Sequence, residues 1–194
     1  IVAIADEDIN PKKMTPMQDN QGLTVYNDGT EVVSSISSDG GLSWSTPVSL
    51  SIGDDYVRAL KTLRSGRILL LLDSANLHYS DDNGSTWTAT GDASGFNDII
   101  ELIDGSLLAF YHSGSNEIAC QRSYDGGVNW AAAVEIAADA NDQKYPTGIQ
   151  ADNGNIVCAY ESDEDSVGDD EVKCKVSTDN GATWGAVIDV IDHD

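Results

Sequence analysis

Four apolar or aromatic runs in this chain each end on a different polar side chain: Val25-Tyr26-Asn27, Leu71-Leu72-Asp73, Phe110-Tyr111-His112 and Ala159-Tyr160-Glu161. Asp73 and Glu161 are the pair with chemistry in it. Hydrolysis of a glycosidic bond needs two carboxyl groups, about 5 Å apart for retention or roughly 6.5–9.5 Å for inversion. Arg58, in Tyr56-Val57-Arg58-Ala59-Leu60, adds a cation to the same face, and Asn27, His112 and Tyr160 complete a set of candidate ligand-binding residues. A position that varies among polar and ionisable types while its neighbours stay apolar is where a site is expected. Ordinary solvated strand ends are the plainer alternative.

What makes these four positions comparable is a repeat. Ser37 to Trp44 (SSDGGLSW), Ser80 to Trp87 (SDDNGSTW), Ser123 to Trp130 (SYDGGVNW) and Ser177 to Trp184 (STDNGATW) share one pattern and contain every tryptophan. Their starts are 43, 43 and 54 residues apart, the period of a four-stranded propeller blade with one enlarged loop. An Asp two residues before a Gly supports a tight turn, because the carboxylate accepts nearby backbone N–H groups and the Gly adopts a left-handed conformation. The Trp is too large for one thin sheet and is expected between neighbouring sheets.

These motifs resemble the Asp-box, or BNR, repeat of the sialidase superfamily, whose members are β-propellers of six or more blades. The resemblance implies that Asp39, Trp44, Asp82, Trp87, Asp125, Trp130, Asp179 and Trp184 are structural, on the outer hairpin away from any active site. It also implies an Arg facing the ligand on an early blade strand, as Arg58 does in sequence. Sialidases use three such arginines with a Tyr nucleophile; here Arg occurs only at 58, 64, 67 and 122 and no F-R-I-P motif is present. The Tyr160-Glu161 ending is similar to propeller arabinanases, in which a Glu at a strand end is catalytic.

Superposing the repeats gives an all-β chain of four antiparallel blades, near 13–52, 55–91, 95–138 and 144–192, within a propeller spanning 1–194. In the last copy the strands are expected at Tyr145 to Ala151, Ile156 to Glu161, Val172 to Ser177 and Ala186 to Ile191, and in the first copy the opening strand falls near Met14 to Met17. Ile1 to Asp6 parallels Val134 to Ala138 and reads as a strand of an upstream or partner blade. The chain then belongs to a larger ring, or to one completed by other copies of itself, since an open stack exposes apolar faces and unpaired edges. A four-blade ring is the alternative.

Thirty-three acidic against ten basic residues give a formal charge of −23, which repels phosphate backbones and anionic membranes, so neither nucleic acid nor membrane insertion is expected. No run has the length of a membrane span, and the first residues lack a signal-peptide pattern and an initiating Met. A secreted protein with its signal removed and a segment of a longer chain both look like this. The acidity suits an extracellular or cell-surface setting.

Cys158 and Cys174 lie equally far from position 166, so a symmetric hairpin predicts a cross-strand disulfide and leaves Cys120 as a buried thiol. The acidic loop 162–171 offers oxygen ligands of the kind calcium takes, without the spacing of an EF-hand; a solvated loop is the plainer reading. The three histidines, His78, His112 and His193, have no metal-ligand spacing, and no other cofactor is expected. Two functions remain: an extracellular module that recognises carbohydrate, within a glycoside hydrolase of neutral sugars, or a non-catalytic adhesive protein that assembles through its open blade edges.

Overall fold

A computed structural model describes residues 13–17, 20–53, 55–74, 76–90, 95–114, 116–138, 142–163 and 171–191. The expected strand at 1–6, residues 164–170 of the acidic loop and His193 lie outside them. The chain divides into two compact units, Ile1–Ser94 and Gly95–Asp194.

The first unit holds two four-stranded antiparallel meanders. One comprises β1 (Lys13–Pro16), β2 (Gly22–Asn27), β3 (Val32–Ser37) and β4 (Val48–Ser49); the other β5 (Val57–Thr62), β6 (Ile68–Leu72), β7 (Leu77–Ser80) and β8 (Thr88–Ala89). Because successive residues of a strand point to opposite faces, Leu23 and Val25 of β2 meet Ile68, Leu70 and Leu72 of β6 in one core, with Trp87 packed against it. Burial of each such aliphatic side chain contributes about 1.5–3 kcal/mol. Thr15 and Thr62 add a hydroxyl pair at 2.9 Å between β1 and β5.

The second unit repeats the plan. Its sheets are β9 (Phe96–Glu101), β10 (Leu107–His112), β11 (Glu117–Ser123) and β12 (Val134–Ala138), then β13 (Asp142–Gln150), β14 (Ile156–Asp163), β15 (Glu171–Ser177) and β16 (Ile188–Ile191). Leu108 and Phe110 of β10 share a core with Ile156, Cys158 and Tyr160 of β14, and Trp184 packs against it. Trp184 meets Phe110 edge-on at 6.2 Å.

The turns joining the first two strands of each sheet are also copies. Met17, Leu63, Leu102 and Ala151 donate their N–H groups to the carbonyls of Gln21, Arg67, Ser106 and Asn155 at 2.8–2.9 Å. Trp44 departs from its equivalents: 37% of it is exposed on the outer side of the first sheet, where it flanks a groove of about 710 Å³ with Met14 and Gly22.

The expected Cys158–Cys174 disulfide is corrected. Cys158 stands opposite Lys175 and Cys174 opposite Ala159, a register one residue away from the symmetric one. That offset puts the two thiols on opposite faces of the sheet, and all three cysteines are free.

Candidate functional site

Each sheet has two unlike ends. At one, the four boxes form the same closed network. Ser37, Ser80, Ser123 and Ser177 donate their hydroxyls to Asp39, Asp82, Asp125 and Asp179 at 2.8–2.9 Å. The same hydroxyls accept the N–H groups of Gly41, Gly84, Gly127 and Gly181 at 2.7–2.9 Å. The carboxylates also take the N–H groups of Ser43, Thr86, Asn129 and Thr183 at 2.8–2.9 Å. Side-chain bonds from Ser43, Thr86 and Thr183 lead in holding Asp39, Asp82 and Asp179 at about 2, and the Asn129 N–H leads for Asp125, also at about 2. Gly84 and Gly181 have φ of +81° and +82°, and a methyl there would meet Leu23 at 3.1 Å or Leu108 at 3.2 Å. These carboxylates are consumed by the fold.

The opposite end carries the varied residues. The register places Asn27, Asp73, His112 and Glu161 at equivalent positions after or at the end of the second strand, since Gly22, Ile68, Leu107 and Ile156 all pair with the box serines. The neighbouring first strands break register there: between Val57 and Ala59, opposite Phe110/Tyr111 of β10, and between Lys144 and Thr147. The residues so displaced are Arg58, Asn97 and the Tyr145-Pro146 pair. Bulges of this kind re-aim side chains at the rim of a sheet.

In the first unit, Arg58 Nε forms an ion pair with Asp73 Oδ1, the two side chains 35% and 50% exposed. Asp55 accepts the Tyr56 N–H at 2.7 Å and the Ser74 N–H at 3.2 Å, together with the Ser74 hydroxyl. His78 is half-buried, and burial pushes its imidazole pKa down against the opposing pull of Asp55. Asn27 is buried and donates to the Asp55 carbonyl at 2.8 Å while accepting the Gly29 N–H at 2.7 Å. Its amide therefore braces the rim.

In the second unit, Glu161 lies opposite Lys144 in register, on the face of β14 that carries Val157 and Ala159. Tyr160 lies on the other face, 2% exposed in the core. Its expected role against a ligand is corrected to packing, because strand alternation turns it inward when Glu161 turns outward. His112 is half-buried and shares a face with Phe110. One pair beyond Glu161, Gln143 and Ser162 face each other, both fully buried, and among the described residues neither the amide nor the hydroxyl has a hydrogen-bond partner.

Gln143, Lys144, Tyr145, Asn97 and Asp98 had not stood out in the sequence. The available signal was Pro146, which marks an edge or bulge when it follows the opening residues of a strand. Asp73 belongs to the first unit and Glu161 to the second. Among the described residues no group of three or more His, Cys, Asp or Glu side chains is placed to hold a metal, and no helix is long and apolar enough to cross a membrane.

A family model for a BNR repeat-like domain matches residues 29–194. An anhydrosialidase from Macrobdella decora is 41% identical over 83 residues, covering 37% of this chain and 11% of that one. Among solved structures, the α-L-arabinanase of Penicillium chrysogenum complexed with arabinobiose matches with a TM-score of 0.64 at 17% identity, over 95% of this chain and 67% of that one. A variant of the NanB sialidase from Streptococcus pneumoniae matches with a TM-score of 0.56 at 19% identity, over 79% of this chain and 27% of that one. The chain thus spans about two thirds of the arabinanase, about a quarter of the sialidase and about a tenth of the anhydrosialidase. The fold they share with it is the β-propeller.

Proposed function

The chain belongs to the BNR repeat-like domain family, and from that premise we propose that it is the carbohydrate-acting part of an extracellular glycoside hydrolase of neutral sugars. Asp73 and Glu161 are its catalytic carboxyl groups. The observation that carries this reading is the row of strand ends. Equivalent positions bear a carboxylate ion-paired to Arg58 in one sheet and a carboxylate opposite Lys144 in another. A glycosidase needs one carboxyl group to protonate the departing glycosidic oxygen and another to attack the anomeric carbon or activate a water, and Asp73 and Glu161 are the candidates for these roles, each on its own unit. A formal charge of −23 weighs against an anionic sugar.

Turnover of aryl glycosides and neutral oligosaccharides by the wild type, Glu161→Gln and Asp73→Asn tests it. Each substitution is expected to lower kcat by about 100-fold or more with the melting temperature retained. Unchanged turnover in both variants overturns the assignment.

A second reading is favoured by exposed apolar side chains that face away from each unit's own core: Met14 and Trp44 beside the groove of the first sheet, and Ile149 and Ile188 on the last. On this reading the chain is an adhesive module that assembles with further copies through those faces. Sedimentation at micromolar concentration is expected to show dimers or larger species that Trp44→Asp dissociates. A strictly monomeric wild type rules assembly out.

A further inference from the structure

We propose that Tyr145 is a stacking platform for a sugar ring at the rim of the last sheet, an inference that rests on the carbohydrate reading above. Tyr145 is 70% exposed and has a φ of 50°. That is left-handed backbone, which an L residue with a large side chain adopts only under constraint. Among the described residues the other non-glycine positions with positive φ are Asn20, Ser51, Asn83 and Asn180, small polar types that tolerate the conformation in turns. An aromatic residue there gains nothing locally.

The constraint comes from the residues that follow. Pro146, which is itself buried, disfavours helical backbone in the residue before it. Asp98 Oδ2 then clamps the strand just beyond, accepting the Thr147 hydroxyl at 2.8 Å and the Gly148 N–H at 3.1 Å. The ring is thereby held out of the core by a buried anchor. Strained backbone that surrounding structure over-determines is concentrated at ligand clamps and active sites.

The surroundings fit a saccharide. Tyr145 follows Lys144, which pairs with Glu161, and Gln143, which pairs with Ser162. Gln143 and Ser162 are fully buried, and among the described residues the amide and the hydroxyl lack partners, so donors and acceptors lie two residues from an exposed aromatic face. A sugar ring presents C–H groups on one face and hydroxyls around its edge, which requires one flat apolar surface and a few polar groups beside it.

The test uses Tyr145→Phe, Tyr145→Gly and Tyr145→Asn, each followed by thermal unfolding and by isothermal titration with arabino-, galacto- and sialo-oligosaccharides. Gly and Asn accept left-handed backbone, so both variants are expected to melt at or above the wild-type temperature. Both are expected to bind the oligosaccharide that the wild type holds about tenfold more weakly, while Phe stays within about twofold. Wild-type affinity in the Gly and Asn variants overturns the platform and leaves the carbohydrate reading standing. A loss in Phe equal to that in Gly also overturns it, because the ring is then not the determinant. A wild type that binds no member of the panel overturns both.

Discussion

Gly148 stands so close to Phe110 that a methyl group on it would lie 2.1 Å from Phe110 Cε2 and 2.3 Å from Cζ. The first strand of one sheet is thus laid directly on the Phe110 ring of the second strand of its neighbour, with no other side chain between. Phe110 is fully buried and also meets Trp184, so the ring has no direction in which to yield. Gly148→Ala is expected to cost toward the upper end of roughly 1–3 kcal/mol for an overpacked core and to lower the melting temperature on the order of 10 °C. Tryptophan fluorescence reports it through Trp184, and an unchanged melting curve would refute the contact.

Acid should loosen the boxes, though only at the low end of the carboxylate range. Asp39, Asp82, Asp125 and Asp179 titrate near 2 in the folded chain instead of at the usual 3.8. A depressed folded pKa means stability that is present above about pH 4 and lost as pH falls through about 2. Melting temperatures measured from pH 5 to pH 2 are expected to decline within that window, and Asp82→Asn is expected to flatten part of the decline. A melting temperature indifferent to pH over this range would show that the boxes contribute nothing to stability.

The thiols give a third test. Burial pushes the Cys120 thiol up to about 11 and raises Cys158 further, while Cys174 is half-buried on the opposite face from Cys158. Under native conditions near pH 8 a thiol reagent is expected to react at Cys174 alone, with Cys120 and Cys158 labelled only after unfolding. Reductant should leave the melting temperature where it was; a fall of several degrees would mean that a disulfide exists after all.

Much of this molecule could be read before its coordinates. The box pattern located four hairpins because Ser, Asp, Gly and Trp each have one geometric duty there, and the apolar runs located the second strands. The strand ends at Asn27, Asp73, His112 and Glu161 followed from the same alignment. The bulges did not, because a one-residue slip leaves the apolar pattern on either side intact. Cys158 and Cys174 differ from expectation for a related reason: the parity of a hairpin depends on its loop, and the register here is one residue away from symmetry about position 166. Tyr160 and Gln143 were hidden because an aromatic or an amide at a strand end reads as rim from its type, whereas alternation decides whether it faces in or out.

The two ends of each sheet also differ in when they can form. Every hydrogen bond of the box networks joins residues two to four apart in the chain. The bridges between neighbouring sheets span far more: 47 residues from Thr15 to Thr62 and 49 from Asp98 to Thr147. Short closures cost little chain entropy and hairpins of this kind form in about 1–10 μs, whereas distant pairings slow folding. The boxes are therefore kinetic starting points, complete while Asp98, and with it the backbone that presents Tyr145, still awaits its partner.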